Sequence, residues 1–149
     1  MKRSARLDIV QQAASRTERE RAERVAEAER YHVEMQQKLA ALEKYRSEYE
    51  AGFSQRAGSG LDVVGMRDYQ TFLARLGEAL SQQRESVAQA REALDAERAH
   101  WREAAQRAHV VETLAERWQG EEMRAADRRD QIESDELSQM RASHKERNP

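Results

Sequence analysis

Between Met66 and Trp118 the apolar residues return at alternating steps of three and four. With Met66 as position a of a heptad, the a positions are Met66, Leu73, Leu80, Val87, Leu94, Trp101, Ala108 and Ala115. The d positions are Tyr69, Leu76, Gln83, Ala90, Glu97, Ala104, Val111 and Trp118. Fourteen of these sixteen are apolar or aromatic, where an unpatterned chain of this composition would place about six. No proline interrupts the run, so it predicts one continuous helix with a single sticky seam. A weaker seam precedes it: Leu7, Val10, Ala14, Thr17, Arg21, Val25, Ala28, His32, Met35, Leu39, Leu42, Tyr45, Tyr49 and Phe53. Its mean step of about 3.5 residues is the coiled-coil period. The Arg16–Arg30 part is rich in alanine and arginine and predicts loose packing, whereas Met35–Phe53 is bulkier.

Between the seams lies Gly52-Phe-Ser-Gln-Arg-Ala-Gly-Ser-Gly-Leu-Asp-Val-Val-Gly65, with four of the six glycines, and this window reads as a turn. Asp62 is the favoured N-cap of the second helix, with Ser59 the other candidate. The reading is therefore all-α: an elongated antiparallel two-helix coiled coil, or α-hairpin, with a longer second helix. As one domain it has helix one at about 5–52, the turn at about 53–62, helix two at about 63–141 and a frayed tail at 142–149. A turn centred near Gly58 makes partner positions sum to about 115–116. Tyr49 then faces the Met66 region, Leu42 lies near Leu73, and Leu7 meets Ala108. Everything after about Val111, including Trp118, Met123, Ile132, Leu137 and Met140, is left without a first-helix partner. From Val111 to Met140 that overhang would measure about 45 Å.

Composition agrees with long charged helices: 36% of residues are charged, 5% aromatic, and mean hydropathy is -1.05. The 26 basic and 28 acidic residues are mixed along the chain, so no nucleic-acid partner is indicated. A basic-region zipper also fails, because Val64–Gln70 carries a single arginine where a basic cluster is needed. There is no cysteine and hence no thiolate or disulfide chemistry. No stretch approaches the ~20 apolar residues that cross a bilayer, and no signal-peptide core follows the basic start. Direct membrane insertion is not expected, and a cytoplasmic location is.

Chemistry is sparse. Glu29/His32 and Glu97/His100 have the Glu-x-x-His spacing of helical metal sites, but the expected register sets His32 opposite Gln83 and about 25 Å of helix from His100. Solvated side chains are the simpler reading. Glu121-Glu122 and Asp135-Glu136 sit on charged helix with no pocket to shift them. With no phosphate loop or nucleophile motif either, no enzyme and no cofactor are expected. Gln83 and Glu97 interrupt the second seam at d; such residues fix register at a cost in stability, although Gln83 could instead border a partner face. Tyr45 and Tyr49 follow the first seam and could be plain core, but the pattern alone leaves open whether they are core or exposed. Phe72 falls at g, beside the seam, and an exposed phenylalanine there points to a partner. Trp118 on the overhang raises the same expectation.

Leu39-Ala-Ala-Leu-Glu-Lys-Tyr-Arg-Ser-Glu-Tyr49 before the turn and Tyr69-Gln-Thr-Phe-Leu-Ala-Arg-Leu-Gly-Glu-Ala-Leu after it resemble the flagellar export protein FliJ family. Trp101 and the late Asp130-Gln-Ile-Glu-Ser-Asp-Glu136 are also similar, and the likeness runs over nearly the full length. The resemblance implies a non-enzymatic antiparallel coiled coil of the flagellar type III export apparatus, peripheral to the inner membrane and shaped like the central stalk of rotary ATPases. It implies three partners: the export ATPase hexamer, into whose ring the stalk inserts, the cytoplasmic domain of the export gate, and export chaperones, which are escorted and recycled. Carried over residue by residue, the gate-binding face falls on Leu42, Tyr45, Tyr49, Phe72, Leu76, Ala79 and Gln83. Lys38 departs from the family pattern, which favours an uncharged polar residue there. The ATPase-facing end is expected at the opposite tip, near Trp118. The rival readings are the equivalent stalk of a virulence-type injectisome and a generic self-associating coiled coil.

Overall fold

The computed structural model describes residues 3–147. Two helices make up almost all of them: α1, Arg3–Gly58, and α2, Val63–Arg147. No strand occurs among the described residues. Both helices are longer than the sequence pattern predicts. α1 continues through Gly52 to Gly58 because nothing between them forbids it: Gln55, Arg56 and Ala57 are good helix formers, and no proline intervenes. The segment 142–147, expected to fray, is the last stretch of α2, and residues 148 and 149 lie outside the described residues.

The turn is short, and hydrogen bonds close the end of α1. Ser59 N donates to the Arg56 carbonyl at 3.2 Å and Gly60 N to the Ala57 carbonyl at 3.3 Å, which satisfies carbonyls that the end of α1 would otherwise leave open. The Ser59 hydroxyl donates to the Arg56 carbonyl as well, at 3.1 Å, so Ser59 closes α1 rather than capping α2. Gly60 has φ +97°, a left-handed backbone that side chains resist. Asp62 caps α2: its Oδ1 accepts from Gly65 N at 2.8 Å, the N3 amide that an N-cap satisfies.

The chain divides into two compact units, Arg19–Glu103 and Met1–Glu18 with Ala104–Pro149. In the first, α1 and α2 run antiparallel: Tyr49 meets Tyr69, Met35 meets Gln83, and Glu29 meets Arg98. In the second, the start of α1 lies against α2, with Ser4 donating from both its backbone N and its hydroxyl to the Glu122 carboxylate. The Arg3 guanidinium sits 5.6 Å from the Trp118 ring centroid. These contacts correct the expected register. Partner positions sum to about 121 rather than 115–116, because the turn is centred between Gly60 and Leu61 and not on Gly58. Leu7 therefore comes level with the Leu114 region, not Ala108. Contact with α1 extends to Glu122 rather than ending near Val111, and Trp118 is half-buried beneath Arg3.

The seam of α2 is where the heptads put it. Its buried apolar side chains among the described residues are Leu76, Leu80, Ala90, Leu94, Ala104 and Ala115, every one an a or d position. Leu80 is wholly enclosed. Met66, at the turn, is the one exposed member of the sixteen. The α1 seam needs three corrections. Val10, Thr17 and Tyr45 are exposed, and the half-buried places beside them belong to Gln11, Glu18 and Arg46. Replacing the three gives an unbroken alternation of four and three from Leu7 to Phe53, with Gln11, Val25, His32, Leu39, Arg46 and Phe53 among its a positions. Long polar side chains can lie along such a seam with their heads in water. Arg21, Val25 and Ala28 are only half-buried, whereas His32 and Met35 are buried. No helix among the described residues is long and apolar enough to cross a membrane.

Candidate functional site

Five aromatic rings gather just below the turn. Phe53 stacks on Tyr69 with centroids 3.5 Å apart, and Tyr69 stacks on Tyr49 at 5.5 Å. Tyr49 also tilts against Phe72 at 4.2 Å, and Phe72 presents an edge contact to Tyr45 at 5.9 Å and 73°. The Arg56 guanidinium sits 6.0 Å from the Tyr49 ring centroid. Heptad geometry explains the grouping: Phe53, Tyr49 and Tyr69 are seam residues, while Tyr45 and Phe72 are both g. In an antiparallel pair g faces g, so these two rings meet on one flank of the seam.

The seven residues of the expected gate-binding face divide accordingly. Leu42, Tyr49, Leu76 and Gln83 are d positions, and Leu76 is buried. Tyr45, Phe72 and Ala79 lie on the flank. Tyr45 is 49% exposed, so it is a surface residue and not core, a choice its place in the apolar series left open. Phe72 is half-buried, less open than a g position alone predicts, because both tyrosines of α1 close over it. The flank trio lies beside the seam, Tyr45 exposed and Phe72 and Ala79 half-buried, with the d residues on the seam itself.

Gln83 reaches across the seam. Its Nε2 donates to the Met35 carbonyl at 2.9 Å and lies 3.6 Å from the Met35 Sδ. That bond fixes which residue of α1 lies opposite, so Gln83 acts on register. Glu97, the other polar d residue, keeps its Oε2 buried with no hydrogen-bond partner among the described residues.

The two Glu-x-x-His pairs come apart. His32 is buried at 9% exposure, a correction to the solvated reading, and it occupies an a position of the seam. Glu29 turns instead to Arg98, 3.2 Å away, and His100 is exposed. No group of three metal-capable side chains forms among the described residues. Two apolar concavities among the described residues lie on α2, one along Val110, Thr113 and Leu114 and one along Leu137, Met140 and Ala142. Sequence reasoning passes over Tyr31, a g residue of α1 two heptads from Tyr45; the strict heptad frame marks it, but only once Tyr45 is moved off the seam.

Comparison with known proteins agrees with this geometry. The family model described as flagellar FliJ protein matches residues 2–147. A flagellar FliJ protein of Salmonella typhi is 27% identical over 139 residues, covering 93% of this chain and 95% of the relative. One from Escherichia coli (strain K12) is 30% identical over 110 residues, covering 74% and 75%. No solved structure matches the chain. A helical pair with this seam, matched almost end to end by that model, belongs to the flagellar FliJ protein family.

Proposed function

We propose that this component of flagellar protein export works as a coiled-coil stalk that binds the export gate through the flank carrying Tyr45, Phe72 and Ala79. The observation that carries this reading is the Tyr45–Phe72 edge contact. It sets an aromatic pair on the flank of the seam, with Tyr45 49% exposed. Aromatic side chains supply large contact area at small entropic cost and dominate the energy of protein interfaces. Leu42, Tyr49, Leu76 and Gln83 complete the face by holding the register beneath it.

Near Trp118 the start of α1 lies against α2, and this is the end we assign to the ring of the export ATPase. A two-helix stalk has no rotational symmetry, so inside a hexamer it makes different contacts with each subunit and biases their states unequally. Export chaperones are the third partner in this reading, released after delivery. The protein acts by binding and not by catalysis, in association with the inner-membrane apparatus.

Calorimetric titration of the purified chain with the cytoplasmic domain of its own export gate tests the proposal. Saturable binding that Tyr45→Ala/Phe72→Ala weakens at least tenfold, with helix content retained in circular dichroism, is the expected result. A large loss of helix in the double variant would instead assign these rings to the core.

A further inference from the structure

Within Arg19–Glu103 the two flanks of the seam differ in chemistry. On one, position e faces e, and ion pairs cross it: Glu43 with Arg84 at 3.9 Å and Glu29 with Arg98 at 3.2 Å. On the other, position g faces g, and Tyr45 meets Phe72. The same offset, carried back by heptads, sets Lys38 level with Ala79 and Tyr31 level with Ser86. Neither helix places an acidic residue at g between 24 and 93. No ion pair crosses this flank among the described residues there, since Lys38 pairs along its own helix with Glu34 at 3.4 Å.

Tyr31 stands alone on that flank. It is 53% exposed and has no ring contact or hydrogen-bond partner among the described residues. Ser86, level with it, donates its hydroxyl to the Gln82 carbonyl of α2 at 3.2 Å. A half-exposed tyrosine without a partner, in line with an aromatic docking face, is an anchor with nothing yet to hold.

The size of the face points the same way. On α2 it runs from Phe72 to Gln83, about 16 Å of helix. Across a pair of helices about 20 Å wide that is about 330 Å², short of the ~800 Å² per partner of a standard interface. Extended to Tyr31 it covers about 27 Å and about 540 Å².

We infer that the gate-docking surface continues past Leu42 along the flank without ion pairs, with Tyr31 as its second aromatic anchor. This rests on the gate-binding reading above. The surface it fits is an apolar ridge of the gate's cytoplasmic domain lying along the groove between the two g rows.

The test is calorimetry of the full chain against the purified cytoplasmic domain of the gate, with four variants. Tyr31→Ala is expected to weaken binding about 5- to 30-fold, while Tyr31→Phe stays within about twofold because the ring is kept. Gln36→Ala, on the ion-pair flank, should bind like the parent, and Tyr45→Ala/Phe72→Ala should lose most affinity. Tyr31 is exposed, so its variants should keep the parental circular dichroism spectrum and melting midpoint. If Tyr31→Ala binds like the parent while Tyr45→Ala/Phe72→Ala does not, the face ends near Leu42 and this inference is wrong although the gate reading stands. If the parent chain itself does not bind, the gate reading falls and takes the inference with it.

Discussion

Glu97 is a d residue whose Oε2 is buried without a hydrogen-bond partner among the described residues, while its neighbours on the seam, Leu94 and Ala104, are buried hydrocarbon. An unpartnered polar atom in such a place costs about 1–3 kcal/mol, so Glu97→Leu is expected to stabilise the fold by about 1–2 kcal/mol. Thermal unfolding followed by circular dichroism would read it as a higher midpoint; an unchanged or lower one would mean that the carboxylate is solvated. Gln83 has the same heptad letter and the opposite circumstance, because its amide is bonded to the Met35 carbonyl. Residue type and heptad letter are legible in the sequence for both, but the partner of each side chain depends on register. Register is what the sequence pattern misplaces, by about six positions. The same error leaves Trp118 without a partner in the expected hairpin, although Arg3 covers it.

Helices made of strict heptads announce themselves, and α2 does so almost without fault from Leu76 to Ala115. α1 does so less well because its seam accepts Gln11, Glu18 and Arg46 at half-buried places. A search for apolar residues drifts to Val10, Thr17 and Tyr45 one position earlier. The glycine-rich window marks the turn but not the turn's place within it. Gly52 lies inside α1, and Gly60 is the residue that turns the chain. Two glycine substitutions separate these roles. Gly60→Ala forces a side chain into φ +97° and is expected to cost about 1–2 kcal/mol. Gly77→Ala adds a methyl to the exposed side of α2, where no atom lies within 4 Å, and should stabilise by about 1 kcal/mol. Asp62→Ala removes the acceptor of Gly65 N and should cost about 1 kcal/mol. Midpoints in urea unfolding would rank the three, and a Gly60→Ala midpoint equal to the parent's would place the turn elsewhere.

For the whole molecule, the buried apolar side chains lie along the seam. Every residue from Asp127 to Arg147 is exposed, so that part of α2 buries nothing against α1. Truncation after Ala126 is therefore expected to move the melting midpoint by no more than about 3 °C and to leave gate binding intact. With the ATPase ring assigned to the end near Trp118, the same truncation should weaken engagement of the ring, which stimulation of ATP hydrolysis by the truncated chain would report. Helix class and the seam of α2 are legible in the sequence. Which flank is sealed by ion pairs and which is left open is not, because Glu29–Arg98 and Glu43–Arg84 exist only in the corrected register. The division into a sealed and an open flank is the central claim, and the most direct measurement compares the two. Tyr45→Ala/Phe72→Ala on the open flank and Glu43→Ala/Arg84→Ala on the sealed one would each be titrated into the cytoplasmic domain of the export gate. The first pair is expected to weaken binding at least tenfold and the second to leave it within about twofold. Equal losses from both, or loss from the ion-pair flank alone, would contradict a division of labour between the flanks.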